Sequence, residues 1–160
     1  MNTPKVSVLL PVWNGRSHLE RLLPRLGAQV VEGGVEVLAT DSSSEDGSVE
    51  LLEEHGARVE VIPQAEFRHG RTRNELAARA RGEVLVFLSQ DALPEGEESL
   101  EQPAGAFGDE RVAGASWRLL PPAEEGPLTP PPALRQPEAS AAAQVRALQG
   151  AAPISALTAS

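Results

Sequence analysis

Four short apolar runs, each followed by a polar turn and a segment of helical spacing, constrain this chain more than any other feature. The runs are Val6-Ser7-Val8-Leu9-Leu10 ending at Pro11, Val35 to Thr40 ending at Asp41, Val59 to Ile62, and Val84 to Leu88 ending at Ser89-Gln90-Asp91. Their length and their β-branched and aliphatic content predict strands. Between the first two, Leu19, Leu22, Leu23 and Leu26 recur at helical spacing and predict a helix over about residues 18–29. Ser17 and Glu20 stand at capping-box spacing before it, and Pro24 is expected to kink it. Gly33-Gly34 marks a turn; Val49, Leu51 and Leu52 mark a second helix capped by Gly56, and Thr72 to Arg81 a third, closed by Gly82. Strands alternating with helices at these separations imply right-handed crossovers, hence an α/β fold with a mainly parallel sheet covered on both faces.

The chain has 160 residues and is 41% hydrophobic, enough for one ordinary domain. The apolar residues are unevenly spread. Patterned segments end near residue 120, and no aromatic residue follows Trp117. A compact domain over 1–120 and a Pro/Ala-rich, flexible tail over 121–160 are therefore expected. Near the boundary a weak helix over 95–107, interrupted by Pro103, and a strand over 112–117 are predicted; 139–148 reads as a short isolated helix. The net charge of −9 argues against a general nucleic-acid binder, which needs a broad basic face. Arg58, Arg68, Arg71, Arg73, Arg79 and Arg81 nevertheless crowd one stretch with His69, which suits a small anionic ligand. There is no cysteine, so neither a disulfide framework nor a thiolate metal site is available. The N-terminal apolar run is too short for a signal peptide, and none approaches the roughly 18 residues of a membrane span. A cytoplasmic protein, at most peripheral to the cytoplasmic face of a membrane, is expected.

Ligands of such sheets bind beyond the carboxyl ends of the strands. Asn14, Asp41 and Asp91 follow the first, second and fourth strands, so all three are expected along one edge. Asp41 opens a Ser-rich turn; its carboxylate suits either a base or ribose, or the turn's own N–H groups. Asp91 suits a divalent cation bridging two phosphates, or an ordinary turn leading to Pro94. Phe67-Arg68-His69-Gly70-Arg71-Thr72-Arg73-Asn74 sets cations at a helix start, where the dipole and free N–H groups already favour an anion. No G-x-G-x-x-G follows the first strand, and neither a P-loop nor a nucleophile elbow is present, which disfavours a dehydrogenase, an NTPase and a serine hydrolase.

Taken in order, Val6 to Gly15, Asp41 to Ser48, Phe67 to Asn74, and Phe87-Leu88-Ser89-Gln90-Asp91-Ala92 resemble the motifs of family-two glycosyltransferases, in particular the rhamnosyltransferase-like branch. The resemblance implies a GT-A (Rossmann-like) fold, here incomplete at its C-terminus, with 121–160 as the start of a missing acceptor-binding half. It implies an inverting transfer from a nucleotide-diphosphate sugar, dTDP-rhamnose being one candidate, to a saccharide or lipid-linked acceptor. For the donor it nominates Pro11, Asn14, Asp41, His69, Arg71, Arg73 and Asn74, and for a divalent Mg or Mn ion Asp91, because Ser89 occupies the first position of the family's Asp-x-Asp. No residue of this chain is nominated as the general base. A nucleotide-sugar-binding module without turnover is the alternative, and a Pro-rich interaction segment a further one.

Overall fold

The computed structural model describes residues 3–109 and 111–117. Four strands alternate with helices: β1 (Val6–Val12), α1 (Arg16–Gly27), β2 (Val35–Asp41), α2 (Ser48–Glu54), β3 (Arg58–Val61), α3 (His69–Arg79) and β4 (Val84–Phe87). A one-turn 3-10 segment, Gln64–Glu66, lies between β3 and α3. The strands form one sheet in the order β3-β2-β1-β4, every neighbouring pair parallel. The chain thus builds outward from β1 to β3 and then crosses back to β4 on the other side of β1. That reversal sets the switch in strand order at the carboxyl ends of β1 and β4, the place where open parallel sheets take ligands.

β1 is central and buried on both faces, with Val6, Val8, Leu9 and Leu10 fully enclosed. Leu9 and its β2 partner Leu38 meet Leu76 of α3, flanked by Ala77, Ala80 and Leu85. The apolar stripe Leu19, Leu22, Leu23 and Leu26 of α1 is buried as its spacing predicts, as are Leu51 and Leu52 of α2. β4 docks closely on β1 because Gly82 precedes it. A Cβ there would stand 2.6 Å from both the Ser7 nitrogen and its Oγ.

Some local expectations need correction. α1 starts at Arg16, with Gly15 as its N-cap, and Ser17 makes no capping bond. Asp46, from the turn after β2, accepts the Arg16 N–H at 2.9 Å instead. Pro24 lies inside α1, as in the predicted helix, with Ala28 donating to its carbonyl. α3 begins three residues earlier than predicted, so His69, Gly70 and Arg71 form its first turn. The segment 95–107 is helical only over α4 (Glu101–Gly105) and a 3-10 turn, Ala106–Gly108. Pro103 lies in the first turn of α4, where a missing N–H costs least. Residues 112–117 form no strand. Their small side chains (Ala113, Gly114, Ala115, Ser116) give a ladder little to pack. Contacts divide the chain after Ala104; beyond it Arg111 pairs with Asp109. The predicted tail and its helix over 139–148 lie outside the described residues.

Candidate functional site

The loop after β1 is tied to the turn after β2 residue by residue. The Asn14 N–H donates to Ser44 Oγ (2.7 Å), and Asn14 Oδ1 accepts from the Glu45 N–H (3.1 Å). The Gly15 N–H donates to Ser48 Oγ (3.0 Å). Among the described residues Asn14 and Ser43 are the non-glycine residues held at positive φ, 43° and 59°. Such conformations persist where surroundings over-determine them, and they collect at ligand sites.

Asp41 ends β2 fully enclosed. Its Oδ1 accepts from the Ser44 N–H at 2.7 Å and its Oδ2 from the Ser44 hydroxyl at 2.6 Å. Ser44 is therefore a relay between Asp41 and the Asn14 main chain, and Asp41 shapes the loop from beneath. Asp46 plays a parallel part. Burial pushes its carboxyl up, but donors from the Ser48 hydroxyl and the Arg16 and Ser48 N–H groups outweigh this and hold it below the usual carboxylate range. Sequence reasoning did not single out Asp46; its signal is an Asp two residues before a helix that also lies one strand over from another helix start.

On the β4 side, Asp91 is exposed in the turn after that strand. The Ser89 hydroxyl holds its carboxyl below the usual range, aided by its own N–H and the charge of His18 against slight burial. Among the described residues no group of three or more His, Asp or Glu side chains gathers as a metal cage. What Asp91 offers is one ionised carboxylate, which fits a cation that takes its remaining ligands from a diphosphate and water. Pro11 lies half-buried in β1, opposite Thr40. Trp13, absent from the sequence-derived site, is 52% exposed beside Asn14 at the same edge.

The arginine-rich stretch does not act as one patch. Arg58 and Arg81 both pair with Glu36, near the amino end of β2 and away from the carboxyl edge. Arg79 pairs with Glu60 and Arg71 with Glu75 at 2.7 Å, while Arg68 donates to the Ala65 and Phe67 carbonyls. Arg73 and Asn74 are exposed, and among the described residues their side chains have no hydrogen bond or ion pair. His69 stands edge-on to Phe67 in the first turn of α3. The structure thus brings Asn14, Asp41 and Asp91 to one edge, engages Arg71 with its own helix, and leaves Arg73 as the uncommitted cation of the stretch.

Residues 7–132 match the family model described as glycosyl transferase family 2. The O-antigen chain rhamnosyltransferase WbaN of Salmonella anatum is 36% identical over 127 residues, 78% of this chain and 40% of that protein. The S. aureus protein TarS 1-349 in complex with UDP superposes with a TM-score of 0.56 at 26% identity, covering 73% of this chain and 38% of that one. The mannosyltransferase PcManGT of Pyrobaculum calidifontis, in complex with GDP-Man and Mn2+, has a TM-score of 0.60 at 23% identity over 72% of this chain and 36% of its own. The chain thus spans about 40% of the length of the curated relative.

Proposed function

Since the chain belongs to glycosyl transferase family 2 and has a GT-A-like parallel sheet, we propose that it holds a nucleoside-diphosphate sugar along the carboxyl edge of β2, β1 and β4 for transfer to an acceptor hydroxyl. The observation that carries this is which groups are left uncommitted. Among the described residues Asn14 Nδ2, the Arg73 guanidinium and the Asn74 carboxamide have no partner, and the Asp91 carboxylate stands exposed with the Ser89 hydroxyl as its side-chain donor, whereas the other arginines of the stretch are paired or bound to carbonyls.

In this reading the nucleoside lies over Pro11 and Asn14, on the loop that Asp41 fixes through Ser44. Arg73 and Asn74 take diphosphate oxygens, the guanidinium in bidentate fashion. The first turn of α3, with His69, Gly70 and Arg71, contributes its N–H groups and dipole to the same charge. Asp91 would hold a divalent Mg or Mn ion, whose chemistry when bound is to neutralise the diphosphate leaving group. Inversion and an acceptor-side base belong to the family reading, and no residue described here is assigned that base. The rhamnosyltransferase relative supports dTDP-rhamnose as the first donor to try, and a saccharide or lipid-linked acceptor. Ser89, in place of a first carboxylate, favours a second reading in which the chain binds donor without turnover.

Titrating the chain with UDP, GDP and dTDP, with and without Mn2+, tests the binding. Micromolar affinity for at least one of them is expected, and none for any would end the proposal. Release of radiolabelled sugar from the matching donor separates a transferase from a binding module.

A further inference from the structure

Between β1 and β4 the main-chain ladder stops and a side chain resumes it. The Lys5 and Leu9 carbonyls face β4, accepting from the Val84 N–H (3.0 Å) and the Leu88 N–H (3.1 Å). Alternation along the strand turns the polar groups of residues 7, 9, 11 and 13 to that same side. Pro11 has no N–H to give, and the pairing of β1 with β4 ends at Leu9 opposite Phe87. Two residues further on, the Gln90 carboxamide takes the place of a strand. Its Oε1 accepts from the Trp13 N–H at 3.0 Å and its Nε2 donates to the Trp13 carbonyl at 3.2 Å. Trp13 presents one donor and one acceptor, so only one amide orientation satisfies both. The amide also lies over Gly15, where a Cβ would stand 2.5 Å from Oε1.

We propose that Gln90 is a positioning residue of the donor site, its paired hydrogen bonds to the Trp13 main chain holding the Trp13-Asn14 loop and the Ser89–Asp91 turn as one rigid unit. This rests on the donor-binding reading above. The loop's other ties, from Asn14, Gly15 and Arg16, all run to the turn after β2. Gln90 alone among the described side chains ties it to the Asp91 side. Nucleoside-facing groups and the cation-facing carboxylate then keep a fixed spacing, matched to a single diphosphate. Gln90 touches no ligand in this account and acts through Trp13 and Asp91.

The chain has two tryptophans, Trp13 and Trp117, so Trp117→Phe leaves Trp13 as the sole indole reporter. In that background Gln90→Leu and Gln90→Glu are compared with Gln90 by thermal melting, by time-resolved anisotropy of Trp13, and by titration of UDP, GDP and dTDP with and without Mn2+. Both variants should retain a cooperative melt, increase local motion of Trp13, lose about tenfold in diphosphate affinity in the presence of Mn2+, and shrink the factor by which Mn2+ strengthens binding. Glu matches Gln in size but turns an acceptor on the Trp13 carbonyl. If Glu preserves the Trp13 motion of the parent, Gln90 fills space over Gly15 and the proposal falls. It falls equally if Trp13 motion is unchanged in both variants, or if motion rises while the Mn2+ factor stays the same. Should Gln90→Leu fail to fold, Gln90→Asn, a methylene too short to reach both groups, replaces it under the same criteria. A parent that binds none of the three diphosphates overturns the donor reading instead, and Trp13 anisotropy still decides whether Gln90 holds the loop.

Discussion

Asp41 and Arg73 are both nominated for the donor, yet their surroundings differ in kind. Asp41 is enclosed, with both oxygens on Ser44, whereas Arg73 stands exposed and uncommitted. Asp41→Ala removes the anchor of Ser44 and, through it, of the Asn14 main chain. It should weaken nucleoside, monophosphate and diphosphate alike and destabilise the fold by about 1–3 kcal/mol, the cost of stranding buried donors. Arg73→Ala should leave stability within about 0.5 kcal/mol, as other exposed changes do. Its loss, about tenfold, should fall more on the diphosphate than on the nucleoside, since the guanidinium is proposed to pair with phosphate. Titration of all three ligands against both variants, with thermal melts alongside, checks the contrast. An equal loss across ligands for Arg73→Ala would remove it from the diphosphate. The sequence exposed Arg73 as a candidate through its place at a helix start. It could not show that Arg71, two residues away, is held by Glu75, because an i,i+4 partner competes with a ligand only in a given rotamer.

At the scale of elements, the seating of β4 against β1 depends on Gly82. The glycine takes no positive φ; what it supplies is room, for a Cβ would meet the Ser7 nitrogen and Oγ at 2.6 Å and the Val6 carbonyl carbon at 2.8 Å. Gly82→Ala must therefore push the strand outward or shift the Ser7 main chain, at a cost of about 1–3 kcal/mol. Gly27→Ala, at the end of α1 with nothing within 4 Å of its Cβ, should be neutral or slightly stabilising. Urea midpoints of the two variants measure the difference, and equal midpoints would show that β4 tolerates the methyl group. Gly82 was legible in the sequence as a helix stop. Its closer duty, admitting a neighbouring strand, is a tertiary fact with no local signature. The same applies to α1, whose start is capped by Asp46 from another turn and not by its own Ser17.

For the molecule as a whole, acid stability centres on Glu36. Burial pushes its carboxyl up, but the Ser7 hydroxyl, the Arg81 N–H and the Arg81 guanidinium outweigh this and lower it from 4.5 to about 2. A carboxylate depressed on folding adds stability that is fully present above its unfolded value and is lost as pH falls through its folded one. Asp46 is shifted in the same direction. Stability should accordingly be flat at neutral pH and decline from about pH 4.5 towards pH 2, with Glu36 contributing on the order of 2–3 kcal/mol. Glu36→Gln should lower the melting temperature at pH 7 and flatten the acid limb. Melts across that range check it, and an unchanged acid slope in Glu36→Gln would assign the pH dependence elsewhere.

The order and type of the main elements, the parallel sheet and the edge on which Asn14, Asp41 and Asp91 meet were all determined by the sequence. Apolar period and turn composition act locally, and the handedness of the crossovers leaves few ways to assemble them. Only the tertiary structure decided which charges remain free. It sent Arg58 and Arg81 to Glu36 at the far end of β2, turned Asp41 inward onto Ser44, and brought the Gln90 amide against Trp13 across 77 residues of chain. A side chain's partner depends on which loops the fold sets side by side, and that distance in space is written in no local pattern.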